Sequence, residues 1–208
     1  MNLRDRLHQG LAEIDLSLHE TQVDRLLDYL VLLGKWNKSY NLTAIIEPQE
    51  MISYHLLDSL AIHDAMTSSC RALDVGSGAG LPGIPMAIAM PEIKWTLLDS
   101  NGKKTRFLQQ VLAYCHIGNA EVVKSRVEDY HAAEAFDIIV SRAFAPLAGF
   151  VESVEHLSRS ETCLLTMKSS LGCAEAEGLD STKYLIEETE LHIPGISSKR
   201  SLVVVRKR

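Results

Sequence analysis

Residues 72–82 of this 208-residue chain read Ala72-Leu73-Asp74-Val75-Gly76-Ser77-Gly78-Ala79-Gly80-Leu81-Pro82. A short apolar run leads into three glycines spaced two residues apart, and a helical apolar pattern begins near residue 83. Glycine accepts a positive φ and lets a ligand approach the backbone with no Cβ in the way. The pattern therefore predicts a strand, a glycine loop and a helix, with a ligand site beyond the carboxyl end of the strand.

The spacing of these glycines distinguishes between ligand classes. A dinucleotide-binding loop requires G-x-G-x-x-G, and the third position here is Leu81. The observed G-x-G-x-G, with Asp74 two residues before the first glycine, is similar to the first motif of class I S-adenosylmethionine-dependent methyltransferases. Their ligand carries a cationic sulfonium, so an acidic residue at the strand end is physically sensible. A dinucleotide site and a glycine turn without a ligand stay open as alternatives.

The rest of the chain predicts an α/β fold with a helical N-terminal extension. After residue 70, strands near 71–75, 94–98, 120–124, 136–141 and 161–167 alternate with helices near 83–90, 102–115, 146–157 and 173–179. This alternation is typical of a Rossmann-like, mostly parallel sheet. Strands near 183–191 and 200–206 have too short a connection for a crossover, and they predict an antiparallel pair at one edge. The spacing of apolar residues before residue 70 predicts helices, with a loop over 36–43. We expect a helical extension over 1–68 and an S-adenosylmethionine-binding domain over 69–208.

Composition and charge narrow the classes of function. The chain is 46% hydrophobic, as a globular protein is, and it has no apolar run of about 20 residues that could cross a membrane. Four cysteines without CxxC spacing, and no signal peptide, predict a cytoplasmic protein. A net charge of −6 argues against non-specific coating of nucleic acid. The last ten residues nevertheless carry five basic and no acidic side chains, so a local patch could hold an anionic partner.

Residues at the ends of later strands fit a ligand that carries adenosine. Asp99 ends the second strand, where a carboxylate could accept both ribose hydroxyls or merely cap the next helix. Backbone N–H groups of Val127 and Glu128 could meet the adenine ring, or these residues could simply start a helix. Arg142 ends the fourth strand, where it could bind the O6/N7 edge of guanine, hold the cofactor or pair with a neighbouring carboxylate.

The sequence favours a methyl acceptor that is already nucleophilic. Residues 138–144 lack the Asn/Asp-Pro-Pro-aromatic turn of enzymes that methylate exocyclic base amines, and Cys163 comes too early in its strand to serve as a nucleophile. Guanine N7 has a lone pair and no proton to remove, so alignment of the reactants would suffice. No catalytic acid or base is predicted, and Arg142 is the candidate catalytic residue. No HExxH or similar spacing predicts a metal site.

Several collinear segments together resemble one family, the ribosomal RNA small subunit methyltransferase G (glucose-inhibited division protein B) family. They are Lys35-Trp36-Asn37-Lys38-Ser39-Tyr40-Asn41-Leu42-Thr43, His55-Leu56-Leu57-Asp58-Ser59, residues 73–85, Leu97-Leu98-Asp99-Ser100, Ser125-Arg126-Val127-Glu128 and Ser141-Arg142-Ala143-Phe144. The resemblance implies methyl transfer from S-adenosylmethionine to N7 of one guanine in bacterial 16S ribosomal RNA. It places cofactor contacts on Gly76, Leu81, Val127, Glu128 and Arg142, to which the glycine loop and the second strand add Gly78 and Asp99.

An RNA substrate leads to expectations about partners. Guanine N7 inside an A-form helix lies in a deep, narrow groove, so the target should sit in a loop or be extruded. Because the chain is acidic overall, we expect a local basic rim, with the small ribosomal subunit supplying the remaining contacts. We also expect a monomer. The candidate RNA contacts are Lys35, Lys38, Asn41, Arg126, Lys168, Lys199 and Arg200. Lys168 precedes Ser169-Ser170, where the family commonly has a Lys-Gly pair.

Other functions stay open on the sequence alone. A methyltransferase of the same fold could act on a small molecule or a protein. An NAD-dependent oxidoreductase would need a tolerant version of the glycine loop, and an assembly factor could keep the loop without catalysis.

Overall fold

The computed structural model describes residues 2–66, 70–142, 146–168 and 178–208. Within these residues, seven strands form one sheet in the order β3-β2-β1-β4-β5-β7-β6. The strands are β1 (Arg71–Val75), β2 (Lys94–Asp99), β3 (Ala120–Lys124), β4 (Phe136–Arg142), β5 (Ser158–Lys168), β6 (Tyr184–Leu191) and β7 (Arg200–Lys207). β1 to β5 are parallel, and β7 runs antiparallel to both β5 and β6. The predicted α/β fold, with an antiparallel pair at one edge, is confirmed.

Helices cover both faces of the sheet. They are α1 (Leu3–Glu13), α2 (Glu20–Tyr40), α3 (Pro48–Met51), a π-helical segment (Ile52–Leu57), α4 (Asp58–Leu60), α5 (Gly83–Ala89), α6 (Gly102–Tyr114) and α7 (Leu147–Val154), with 3-10 turns at His63–Ala65 and Glu155–Leu157. Side chains of α1 to α6 form one buried cluster with one face of the sheet, and those of α7 form a second cluster with the other face. The N-terminal helices thus share a hydrophobic core with the sheet.

Some sequence expectations lie outside the described residues. The proposed domain boundary falls at 67–69, and most of the predicted helix near 173–179 falls within 169–177, both of which the described ranges omit. The division into 1–68 and 69–208 stays a prediction.

The prediction of a loop over 36–43 is wrong for residues 36–40, because α2 continues to Tyr40. Trp36 and Tyr40 are one helical turn apart, and their rings stack with centroids 5.1 Å apart. Asn37 is buried, and its side chain accepts from the backbone N–H of Thr43 and donates to the carbonyl of the same residue, both at 2.9 Å. The helix ends at Tyr40 and is capped by Asn41, whose φ of 49° is left-handed. Tertiary contacts therefore extend a helix through residues whose polarity suggests a loop.

The chain order of the strands creates a crevice at the centre of the sheet. The chain runs outward from β1 through β2 to β3 and then returns to β4 on the other side of β1. In open parallel sheets, ligands bind at the carboxyl ends of the strands at such a reversal. The glycine loop follows β1, and Arg142 ends β4, so both lie at this point.

Candidate functional site

The glycine loop is held in place by its neighbours. Gly76, Gly78 and Gly80 have φ values of 70°, 58° and 92°, in the region that favours glycine. The backbone N–H of Gly76 donates to the carbonyl of Leu98 at 2.8 Å. From the other side, the buried hydroxyl of Tyr29 donates to the carbonyl of Ala79 at 2.9 Å. The loop is therefore fixed between β2 and α2.

The space around Gly78 is open, whereas that around Gly80 is filled. A Cβ on Gly78 would have no neighbour closer than the carbonyl oxygen of Gly76 at 3.7 Å and Lys104 Nζ at 4.0 Å. A Cβ on Gly80 would lie 2.5 Å from Ile84 Cγ1. Gly78 thus leaves room for a ligand over the loop, and Gly80 allows the loop to pack on α5.

Asp99 is already bonded to the protein at both carboxylate oxygens. Oδ2 accepts from the backbone N–H of Gly78 at 2.9 Å, and Oδ1 accepts from that of Asn101 at 2.8 Å. Lys104 Nζ lies 3.7 Å from Oδ2. A carboxylate can accept about four hydrogen bonds, so acceptor capacity for ribose hydroxyls remains. Asp99 both braces the loop and lines the crevice.

Two cavities open beside the loop, and they share Gly76 and Arg142. The first, of about 310 Å³, is lined by Val75, Gly76, Leu98, Asp99, Ser100, Lys104, Ser125, Arg126, Val127, Glu128 and Arg142. The second, of about 230 Å³, is lined by Leu42, Thr43, Gly76, Ser77, Gly78, Ala79, Leu81 and Arg142. All seven residues predicted to contact a cofactor therefore line one cavity or both. The Asp99 carboxylate supplies a hydrogen-bond acceptor and the glycine loop leaves open space, which together suit a nucleoside with an amino-acid tail.

Arg142 lies where the cavities meet, and the protein holds its guanidinium firmly. Its Nη1 donates to Asp58 Oδ2 and to the carbonyl of Tyr54, both at 3.0 Å. The other oxygen of Asp58 is 3.3 Å from Nε of Arg200. Burial raises the pKa of Asp58, and the two guanidinium groups oppose that shift. The pairing of Arg142 with a carboxylate, which the sequence left as one alternative, is present.

The second cavity is backed by a fixed Thr43. Its Oγ1 lies 2.9 Å from His55 Nε2 and accepts from the backbone N–H of Ile45 at 3.1 Å. Burial, together with the charge of Arg142, lowers the pKa of His55 to about 4, so this imidazole is neutral near pH 7. Thr43 is therefore held in the lining of this cavity by a neighbour that carries no charge near pH 7.

Asp74 lies beneath the loop and is fully buried. Its Oδ2 accepts from the backbone N–H of Gly83 at 3.1 Å, while Oδ1 has no hydrogen-bond partner among the described residues. Burial raises the pKa of Asp74 to about 7, against the opposing hydrogen bond from Gly83. The acidic residue that precedes the glycines is thus buried, and its pKa lies close to neutral pH.

The candidate RNA contacts lie on several different elements. Lys35 and Lys38 are exposed on α2, with Asn41 exposed at its end. Arg126 is exposed at the rim of the first cavity, and Lys199 is exposed just before β7. Lys168 is half-buried at the end of β5, opposite Ser201 in the sheet. Arg200 is tied to Asp58, so it belongs to the Arg142 cluster rather than to a free rim.

Sequence reasoning missed several residues that line or support the cavities. Lys104 was overlooked, although its place in the first turn of the helix after Asp99 was a usable signal. Thr43 and Asp58 appeared only as parts of longer segments, because no local pattern places them opposite a loop more than 15 residues away. In the part of the chain that the structure describes, no three His, Cys, Asp or Glu side chains are grouped to hold a metal ion. No helix there is long and apolar enough to span a membrane.

Comparisons with known proteins agree with this geometry. The family model of rRNA small subunit methyltransferase G (GidB) matches residues 22–203. The ribosomal RNA small subunit methyltransferase G of Nitrosococcus oceani is 48% identical over 202 residues, which are 97% of this chain and 94% of that protein. Two solved structures share the fold. Precorrin-6y C5,15-methyltransferase of Geobacter metallireducens has a TM-score of 0.56 at 15% identity, over 82% of this chain and 92% of that one. The structure of Aeropyrum pernix fibrillarin with bound S-adenosylmethionine has a TM-score of 0.55 at 15% identity, over 67% of this chain and 67% of that one.

Proposed function

This chain belongs to the rRNA small subunit methyltransferase G family, and on that premise we propose that it transfers a methyl group from S-adenosylmethionine to N7 of one guanine in bacterial 16S ribosomal RNA. The observation that supports the proposal most directly is the pair of cavities that share Gly76 and Arg142. The first cavity suits the cofactor's nucleoside, and the second, which the glycine loop lines, suits its amino-acid tail.

S-adenosylmethionine, when bound, supplies a methyl group on a cationic sulfur that a nucleophile can accept directly. The residues proposed to hold it are Gly76, Gly78, Leu81, Asp99, Val127, Glu128 and Arg142. Asp99 would accept the ribose hydroxyls with the lone pairs that Gly78 and Asn101 leave free. The backbone of Val127 and Glu128 borders the same cavity and would meet the adenine edge. Gly78 leaves the loop open for the amino-acid tail.

The protein's own residues would act by positioning rather than by proton transfer. Guanine N7 carries no proton, so rate enhancement comes from holding the reactants in line and excluding water. Arg142 is fixed by Asp58 and Tyr54 through Nη1, and a guanidinium has five donors, so others can reach the O6/N7 edge of guanine or the cofactor. His55 stays neutral near pH 7 and adds no positive charge beside the sulfonium.

We also propose that the substrate is the assembled small ribosomal subunit and that the enzyme works as a monomer in the cytoplasm. Support comes from the chain's net charge of −6, which disfavours tight binding to bare RNA. The candidate contacts lie on α2 and just after it, at the rim of the first cavity, and on or next to β5 and β7; they are the cations Lys35, Lys38, Arg126, Lys168, Lys199 and Arg200 and the exposed amide of Asn41. A folded particle can meet dispersed contacts at once, whereas a flexible strand must be ordered to do so.

The test is a methyl-transfer assay with labelled S-adenosylmethionine and small subunits from cells that lack this methyltransferase. We expect label in 16S RNA at one guanine, identified by strand cleavage specific for N7-methylguanine. Deproteinised 16S RNA and an RNA-free cell extract serve as parallel substrates, and Gly78→Ala at a subsaturating concentration of S-adenosylmethionine serves as the variant with weakened cofactor binding. Label found in the protein or small-molecule fraction instead of the RNA would refute the proposal.

A further inference from the structure

A column of aromatic rings runs from the buried core near the glycine loop to the protein surface. The ring centroids of Tyr29 and Phe107 are 6.5 Å apart, those of Phe107 and Trp36 are 5.6 Å apart, and those of Trp36 and Tyr40 are 5.1 Å apart. Tyr29 and Phe107 are fully buried, whereas Tyr40 is 37% exposed. Since Tyr29 also donates to the carbonyl of Ala79, the column connects an exposed ring to the loop itself.

The exposed end of the column is close along the chain to residues that line both cavities. Leu42, two residues after Tyr40, lines the second cavity. Lys103 places its Nζ 6.0 Å from the centre of the Tyr40 ring, and its neighbour Lys104 lines the first cavity. Consecutive Cα atoms are about 3.8 Å apart, so Tyr40 and Lys103 are within about two residues' reach of cavity-lining positions. Ile46, 68% exposed, lies on the other side of Leu42 along the chain.

We propose that Tyr40 and Lys103 form a stacking platform for one unpaired base of the ribosomal RNA, next to the guanine that is methylated. The inference rests on the proposed function and extends it to an RNA site outside the cavities. A guanine whose N7 reaches a buried cleft must leave its stack, so an adjacent base also loses a stacking partner. Aromatic rings beside a cation accept such bases with little sequence preference.

The column makes the platform suitable for this role. Trp36 stacks against the Tyr40 ring, and Phe107 packs against Trp36. The Tyr40 ring therefore loses little conformational freedom on binding. Lys103 is exposed, and its charge can face the phosphates that flank the stacked base. An exposed tyrosine without these supports would have to be ordered by the RNA.

The experiment measures initial methylation rates against the concentration of small subunits at saturating S-adenosylmethionine. We expect Tyr40→Ala to raise KM for the subunits about tenfold, the range for loss of one base–aromatic stack, with kcat near the wild-type value. Tyr40→Phe should retain the wild-type KM, because the ring is kept. Lys103→Ala should raise KM about threefold, as for loss of one exposed ion pair, here with a phosphate of the RNA. Calorimetry should give an unchanged Kd for S-adenosylmethionine in all three variants.

Two matched variants serve as controls. Tyr114→Ala removes another exposed aromatic ring, at the far end of α6, and Lys94→Ala removes an exposed lysine at the amino end of β2, away from the carboxyl ends of the strands that border the cavities. Both should behave as wild type. An unchanged KM for Tyr40→Ala, or an equal rise for Tyr114→Ala, would overturn the platform while the active wild type upholds the proposed function. A wild type that methylates no ribosomal RNA would instead overturn the proposed function.

Discussion

Gly78 and Gly80 both have a left-handed backbone but face different surroundings, so the same substitution should have different effects at the two positions. Alanine costs about 1–2 kcal/mol in this conformation. At Gly78 its Cβ enters open space over the loop, where we expect the cofactor. Gly78→Ala should therefore lose at least about tenfold in S-adenosylmethionine affinity, equivalent to about 1.4 kcal/mol, while the protein still folds.

Gly80→Ala supplies the contrast, because its Cβ would overlap Ile84 and Leu108. Overpacking of this kind adds about 1–3 kcal/mol to the backbone strain, so stability should fall further than in Gly78→Ala. Urea unfolding gives the free energies, and calorimetry gives the cofactor affinities. Normal cofactor binding by a folded Gly78→Ala variant would show that the cofactor does not lie over this residue.

Asp74 predicts a pH dependence of stability in the ligand-free protein. Its pKa is raised to about 7 by burial, from 3.8 as the ordinary value, so the folded protein binds a proton that the unfolded chain releases. This contribution is fully present below about pH 4 and is lost as pH rises through about 7, with a slope of at most about 1.4 kcal/mol per pH unit. Asp74→Asn stays uncharged, so its free energy of unfolding should not show this fall as the pH rises through about 7.

The comparison between wild type and Asp74→Asn must be made at each pH, because His55 contributes the opposite slope. The pKa of His55 is lowered to about 4, so its contribution is present above about pH 6.5 and is lost as pH falls through about 4. The same imidazole is present in both proteins and cancels in the difference. In urea unfolding, Asp74→Asn should gain stability relative to wild type between pH 5 and pH 8. A difference independent of pH would contradict the raised pKa.

At the scale of elements, the π-helical segment explains how Arg142 is anchored. The backbone N–H of Asp58 donates to the carbonyls of Ser53 and His55, so the carbonyl of Tyr54 is left for Arg142. An ordinary helix would use the Tyr54 carbonyl within its own ladder. The apolar spacing of Ile52 and Leu56 equally fits an α-helix, so sequence reasoning predicted the helix and missed the π turn. The partner of the freed Tyr54 carbonyl, Arg142, lies 88 residues further along the chain, so no local pattern indicates it.

We expect Asp58→Ala to destabilise this junction strongly. Asp58 is buried and faces guanidinium groups from β4 and β7, so its removal leaves two positive charges without their counter-ion. Breaking a buried ion pair from one side costs about 3–5 kcal/mol, and the partial exposure of both arginines places the expectation near about 3 kcal/mol. Asp64→Ala removes an aspartate that is 92% exposed and should cost under about 1 kcal/mol. Equal unfolding free energies for the two variants would contradict the anchoring.

The whole molecule shows which parts of a site can be predicted from a sequence. The strands and the residues at their carboxyl ends were predictable, because local hydrophobic runs mark the strands and parallel pairing brings their ends together. Gly76, Asp99, Val127 and Arg142 therefore meet as expected. Thr43 and Asp58 were not predictable as parts of the cleft, because their places depend on how the N-terminal helices pack across the sheet. The same packing turned the expected loop at Trp36 into helix.

The distribution of charge over the molecule predicts how the substrate is selected. With a net charge of −6 and few cations around the crevice, only a small number of phosphates can be neutralised. The logarithm of KM for small subunits should therefore rise with the logarithm of salt with a slope no steeper than about 4, since each phosphate contact contributes about 0.7–0.9. Lys199→Ala should reduce this slope by about 1, whereas Lys94→Ala, at the amino end of β2, should leave it unchanged.

Deproteinised 16S RNA offers the same phosphates without the particle's shape, so it should be methylated at least about tenfold more slowly than the subunit, for a loss of about 1.4 kcal/mol in transition-state binding. Equal methylation rates on the two substrates would mean that the enzyme recognises the RNA without the folded particle.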